Sequence, residues 1–352
     1  MQQEPPKVAA PDRRVRVGRQ PTMADIATTL GISRQLVSLV LRDQPGASAA
    51  TRERVRETAR ELGYSPHVGA RVLRQSASRQ LGVVFAPAHA TEPDIVQAIY
   101  PSASEHGFQV VLSATTATRD SMQAVEELLG YRCAALIVIG SDLDDVELRT
   151  LARRASVPVV VVGAGRRNRT HDVVHSAGDD GIAMCVRHLV DLGHDHIAYV
   201  HGSSMPPASL RLAGYLRAAG EASLRPDVVE MEGDYTEDCG AAAAQRLLAR
   251  RMLPTAVVMG NDQAAVGLVL TLARAGISVP GDVSVTGFDD SRVAGLAAVD
   301  LTTVRQDPGE LGRRAVEAAL RRVAESEAAP AETVTPVSLV VRSSTGPSRQ
   351  MS

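Results

Sequence analysis

Residues 22–41 read TMADIATTLGISRQLVSLVL, and the spacing inside this stretch decides how the N-terminal part of the chain folds. Thr22 carries a hydroxyl suited to capping a helix start, and Asp25, three residues on, suits the positive first turn. A helix over Met23–Leu30 puts Ile26, Ala27 and Leu30 on one face. Gly31 supplies a tight turn that a β-carbon would strain, and Ile32 plugs the gap that follows. Ser33 caps a second helix, Arg34–Leu41, with Val37 and Val40 turned inward and Arg34, Gln35, Ser38 and Leu39 turned outward. Small Ala27 lets the two helices cross closely. A third helix is expected over Ala50–Leu62, burying Val55, Ala59 and Leu62 and leaving Arg52, Arg54 and Arg56 for phosphates. A plain three-helix bundle would need only the apolar positions. The glycine, the small residue and the caps together specify a helix-turn-helix.

The charge distribution agrees with that reading. The chain has 352 residues and a formal net charge of −2, yet its first 80 residues are strongly basic and the remainder is acidic, so one end is drawn to polyanions. If the second helix enters a major groove, Gln35 can pair bidentately with adenine and Arg34 with guanine, while Thr22, Ser33, Arg52 and Arg54 position the head on the backbone. Residues 1–20, rich in Pro, Gln and Arg, are expected to be a disordered basic tail.

From Leu81 the pattern changes to apolar runs alternating with amphipathic stretches. Strands are expected at Leu81–Phe85, Gln109–Ser113, Ala135–Ile139, Val157–Val162, Ile197–Val200, Ala256–Met259, Val283–Thr286 and Leu339–Val341, with helices between most of them. Such alternation implies parallel sheets covered on both faces, and its length suits two lobes better than one sheet. Apolar residues make up 44% of the chain, but no run approaches the ~18 residues of a membrane span. The basic start has no apolar segment of a secretory signal. Cys133, Cys185 and Cys239 lie far apart without CxxC spacing, which fits a reducing cytoplasm and argues against a disulfide framework or a zinc site. No metal and no cofactor are expected.

The sequence here resembles the lactose-repressor (LacI/GalR) family of bacterial regulators. The likeness is carried by residues 22–74, then by GVVF (82–85), HLVDLGHDHIAYVHG (188–202), RLAGY (211–215), NDQAAVG (261–267), DVSVTGFDD (282–290), LTTVRQD (301–307) and LVVRSST (339–345). The resemblance implies an all-α helix-turn-helix head over 21–65, a hinge helix and linker over 66–78, and a two-lobed, periplasmic-binding-protein-like α/β core over 79–346. The lobes would comprise 79–175 with 304–335, and 176–303 with 336–346, followed by a tail over 347–352. It implies that Ala70 and Leu73 of the hinge approach the minor groove, Leu73 as a wedge between base steps, with Arg71 and Arg74 on phosphates or in the narrowed groove. The chain departs from the family at Leu39, where arginine is common, and at Arg42, where asparagine is common. Those two side chains make the operator code its own.

Several core positions match residues that line the family's effector cleft. Arg211 corresponds to the arginine that grips ligand hydroxyls or a carboxylate. Asn261 and Asp289 fall at the ends of expected strands, where parallel α/β sheets bind ligands. Phe85 and Phe288 offer apolar or stacking surface, and Gln306 lies in a segment crossing between lobes. A competing role exists for each: Asp289 as a helix cap, Arg211 in an interlobe ion pair. A sugar is the expected effector, although aromatics are only 3% and tryptophan is absent, so a purine or another small polar metabolite is the alternative.

The expected whole is therefore a homodimeric transcriptional regulator, a repressor, on a near-palindromic operator in double-stranded DNA, with no membrane partner. The end of the chain lacks the leucine-rich tail of tetrameric relatives. A solute-binding protein would share the lobes but not the basic head, and a metabolic α/β enzyme would need a catalytic constellation the residues do not offer. Gly163-Ala164-Gly165 lacks the third glycine of a dinucleotide fingerprint, and His194, Asp195 and His196 at a helix-to-strand turn are too closely spaced to converge on one metal.

Overall fold

The computed structural model describes residues 21–41, 43–64, 78–140, 143–155, 157–163, 171–202, 206–233 and 235–349. Arg42 and the expected hinge with Ala70, Arg71, Leu73 and Arg74 lie outside the described residues. The chain divides into two compact units, one ending at Ser76 and one beginning at Ala77.

The first unit is three helices: α1 (Met23–Leu30), α2 (Arg34–Leu41) and α3 (Ala49–Glu61). A reciprocal capping box starts α1. The Asp25 carboxylate accepts from the Thr22 backbone N–H and hydroxyl, both at 2.7 Å, and the Thr22 hydroxyl accepts from the Asp25 N–H at 3.4 Å. Gly31 ends α1 in the left-handed region at φ 65°, the conformation in which a β-carbon costs most. Ile26, Val37 and Val55 are fully buried, with Val40, Ala59 and Ala27 beside them. Each large apolar side chain removed from water contributes ~1.5–3 kcal/mol, the main support of a head this small.

The second unit is an α/β core in two lobes. Its first sheet is fully parallel in the order β11-β5-β4-β3-β1-β2, where β1 is Gln80–Phe85, β2 Gln109–Ala114, β3 Ala135–Ile139, β4 Val159–Val162, β5 Asp172–Ser176 and β11 Glu332–Thr335. Its helices are α4 (Glu92–Glu105), α5 (Ser121–Gly130), α6 (Asp145–Ala155) and α11 (Pro308–Ala324). The second sheet, also parallel, runs β7-β6-β8-β9, with β6 Ile197–His201, β7 Asp227–Glu230, β8 Ala256–Met259 and β9 Ser284–Thr286. It carries α7 (Gly178–Asp191), α8 (Pro206–Glu221), α9 (Glu237–Leu248) and α10 (Asp262–Arg274). An antiparallel pair, β10 (Thr303–Arg305) with β12 (Ser338–Val340), packs on α7. Every residue of β3, β4 and β8 is buried, which is why these central strands are written as unbroken apolar runs.

The chain crosses between lobes three times: between β5 and α7, between β10 and α11, and between β11 and β12. Asp307 caps α11 by accepting from the Glu310 N–H at 3.0 Å, and Pro308 opens the helix. The segment beyond Gly346, expected as a tail, is tied down as far as Arg349. Ser348 N–H donates to the Leu192 carbonyl at 2.9 Å, and Arg349 pairs with Asp282 at 2.5 Å. No described helix is long and apolar enough to cross a membrane.

Candidate functional site

On the head, the outward face of α2 presents Arg34 and Gln35 as exposed side chains. Ser33 is exposed too, its hydroxyl accepting from the Leu36 N–H at 3.1 Å. Ser38 and Leu39 are half-buried. Leu39 leans on the α2–α3 loop, where a β-carbon added at Gly46 would lie 3.2 Å from its Cδ1. Thr22 is occupied by its capping box. Arg52, expected on a phosphate, is instead turned into the head. It donates to the Asp43 carboxylate at 3.1 Å and to the carbonyls of Ala47 and Gln44, and Arg56 meets the same Asp43 at 2.8 Å. Arg52 thus holds the loop that follows the outward helix, while Arg34, Gln35 and Arg54 stay exposed.

In the core, one cleft is lined from both lobes. Its volume is about 150 Å³, roughly ten times what one water requires, so a small organic molecule fits. Four of the six expected residues meet there: Arg211, Asn261, Asp289 and Gln306. Arg211 lies on α8, its stem against Gly178, with the guanidinium carbon 3.9 Å from the centre of the Phe288 ring. One Nη donates to the Gly260 carbonyl at 2.7 Å, the other stands 3.8 Å from the Asp289 carboxylate, and Nε is buried with no hydrogen-bond partner among the described residues. A cation stacked on a ring, with one donor unused, is a group poised to donate to a ligand oxygen.

Asp289 sits just past β9 at φ 126°, and Asp290 follows at φ 52°. Consecutive non-glycine residues at positive φ are costly, and such strain concentrates at ligand sites. The conformation is held by Asp289 N–H donating to the Val304 carbonyl at 2.8 Å and by the Gln306 amide donating to Asp289 Oδ1 at 2.7 Å. Asp289 is therefore no helix cap. Burial pushes its carboxyl above the usual carboxylate range and nearby Asp262 adds to the rise, while Arg211, the Gln306 amide and His89 pull it down. Asn261 does cap a helix: its oxygen accepts from the Ala264 N–H at 2.9 Å and its amide donates to the Tyr235 carbonyl at 3.0 Å.

The two phenylalanines fall elsewhere. Phe288 is fully buried and backs the Arg211 guanidinium from behind instead of facing the cleft. Phe85, at the end of β1, packs against the first-lobe core and does not line the cleft. Sequence reasoning also missed lining residues that the first lobe supplies, His89, Glu92 and His175, and Tyr235 of the second. Their signal was faint: an acid in the first turn of a helix reads as ordinary dipole compensation. The HDH turn is structural. His194 Nε2 lies 3.0 Å from the Gly346 carbonyl and 3.1 Å from Ser284 Oγ, whereas His196 pairs with Asp227 at 3.1 Å.

Comparison with known proteins identifies the head and the core. Residues 22–67 match the bacterial regulatory proteins of the lacI family, and residues 186–345 match a periplasmic binding protein-like domain. The lactose operon repressor of Escherichia coli K12 is 33% identical over 329 residues, covering 92% of this chain and 90% of that protein. A crystal structure of the lac repressor dimer bound to operator and the anti-inducer ONPF superposes with a TM-score of 0.80 at 31% identity, over 93% of this chain and all of that one. A complex of the transcriptional regulator CelR with cellobiose gives 0.69 at 29% identity, over 92% and 99%. With a helix-turn-helix head, a two-lobed core and this degree of likeness along nearly its whole length, the chain belongs to the lacI family of bacterial regulatory proteins.

Proposed function

We propose that the chain is an operator-binding repressor, a homodimer on a near-palindromic site, whose hold on DNA is set by a sugar bound between the core lobes. It acts in the cytoplasm and is not an enzyme. The observation that carries this reading is the constellation in the cleft: Arg211, with a buried donor unused among the described residues, beside Asp289 on a strained turn and Gln306 just past β10. A guanidinium, a carboxylate and an amide in one cleft match the alternating donors and acceptors of a polyhydroxylated ligand. The solved neighbours support the two ends of the reading, one being a dimer on operator DNA and another a cellobiose complex. Effector binding between lobes changes DNA affinity to the extent that it favours one lobe arrangement over another.

The test has two steps. Genomic fragments retained by the full-length protein identify the operator, and sugars are then screened for a rise in melting temperature and for release from, or tightening on, that DNA. If nucleobases alone raised the melting temperature, the sugar assignment would fall. On the DNA side, Gln35→Ala is expected to weaken operator binding by ~1–3 kcal/mol and to relax base preference at one position of each half-site. An unchanged preference across single-base operator variants removes Gln35 from the readout.

A further inference from the structure

Among the described residues, two acidic side chains line the cleft, one from each lobe. Asp289 belongs to the second. From the first comes Glu92, the opening residue of α4, 5% exposed. Its surroundings are built to hold a carboxylate. The Ala86 N–H donates to Oε2 at 2.6 Å, and His89 Nδ1 lies 2.7 Å from Oε1. At the end of β3, Gly140 stands in the left-handed region at φ 54°, and a β-carbon there would collide with Glu92 Oε1. The glycine is thus the space in which the carboxylate sits.

The rest of the first-lobe wall is mostly apolar: Ile95, Ile139, Val162 and Gly163. His175 is turned to its own lobe, with Nδ1 2.9 Å from the Ser176 carbonyl and Nε2 3.0 Å from Glu332. A carboxylate in such a wall is costly unless its acceptor sites are filled. It has about four of them, and among the described residues its two oxygens have one partner each.

We propose that Glu92 is a specificity-determining residue of the effector site. It accepts hydrogen bonds from donors at the ligand end that lies against the first lobe, and it rejects a negative charge there. This inference rests on the effector reading of the cleft. With Asp289 on the opposite wall and Arg211 beside it, the ligand class narrows to a neutral or amino sugar with hydroxyl or ammonium donors at both ends. Sugar phosphates and sugar acids are discriminated against.

The full-length protein is titrated calorimetrically with glucose, galactose, ribose, lactose, cellobiose, glucosamine, glucose 6-phosphate and glucuronate. At least one neutral or amino sugar is expected to bind, with its anionic counterpart at least ~30-fold weaker. Glu92→Gln is expected to weaken that sugar about tenfold and to bring the anionic counterpart within ~3-fold of it. Glu92→Asp, should the first variant not fold, keeps the charge but withdraws it by one methylene. It is expected to retain the rejection of anions while losing ~5-fold in affinity for the sugar. If either variant left both the affinity and the neutral-to-anionic ratio at the wild-type values, while Arg211→Ala abolished binding, the role of Glu92 would be overturned and the cleft reading would stand. If no sugar of the panel bound the wild-type protein, both would be overturned together.

Discussion

Arg211→Ala is expected to abolish the effector response, lowering sugar affinity at least ~100-fold while leaving DNA binding without effector unchanged. Each hydrogen bond from a buried charged donor contributes about 1.5–3 kcal/mol, and tenfold in affinity is 1.4 kcal/mol, so losing two such contacts suffices. The side chain is placed for this work before any ligand arrives. The Phe288 ring supports its face, Gly260 fixes one Nη, and Nε is held buried without a partner among the described residues. Little side-chain entropy is then lost on binding. Arg211→Lys separates charge from geometry. It keeps the cation but loses the planar fork and its stacking, and at least a tenfold loss is expected. Calorimetry with the sugar found by screening, beside an operator-binding assay with and without that sugar, checks both variants. An alanine variant that still responds to the sugar would place the effector elsewhere.

Much of this site was legible in the sequence, for reasons that differ by residue. The head could be read because its determinants are local: a cap, a glycine and apolar positions three or four apart all lie within twenty residues. Strands β3, β4 and β8 could be read because a strand buried on both faces is an unbroken apolar run. The strands that escaped, β5, β7, β10 and β11, are short and carry polar ends, as in DVVHS, DVVE, TVR and ETVT. Their place is set by neighbours remote in sequence. Asp172 in β5 is held by Arg321 of α11 at 2.7 Å and by the Ala331 N–H at 2.5 Å, a contact that no local pattern announces.

In the cleft, family likeness located Arg211, Asn261, Asp289 and Gln306. It could not show that Phe288 lies beneath the arginine, nor that Glu92 enters from the other lobe through the gap at Gly140. Arg52 teaches the same lesson on the head. Its sequence position suits a phosphate contact, yet the folded α2–α3 loop supplies Asp43 and two carbonyls that bind it first.

Asp262→Ala is expected to cost the core about 2–4 kcal/mol and to weaken sugar binding without any contact to the ligand. Asp262 opens α10 and is fully buried. Its Oδ2 accepts from the Ser291 N–H at 2.7 Å and hydroxyl at 2.9 Å, and its Oδ1 from the Thr303 hydroxyl at 2.5 Å. Its own N–H donates to the Phe288 carbonyl at 2.8 Å. The turn carrying Phe288 and Asp289 is thereby pinned to the start of one helix and to β10. Alanine leaves the Ser291 N–H buried and unpaired, at about 1–3 kcal/mol, and forfeits the two hydroxyl bonds at roughly 0.5–1.5 each before they re-pair. A turn no longer held at positive φ lets Asp289 relax away from Arg211. Burial raises the Asp262 carboxyl above its range in the unfolded chain, against the pull of the Thr303 and Ser291 bonds. The folded core then binds the proton more tightly than the unfolded chain does. Stability from this group is fully present below the unfolded carboxylate range and is lost as pH rises through the folded value. Asp262→Asn has nothing to titrate, so the stability of wild type relative to this variant should fall from pH 5 to pH 8. Denaturant melts of the two proteins across that range measure the difference directly, and a difference that grew with pH would show that the folded core prefers the ionised carboxylate after all.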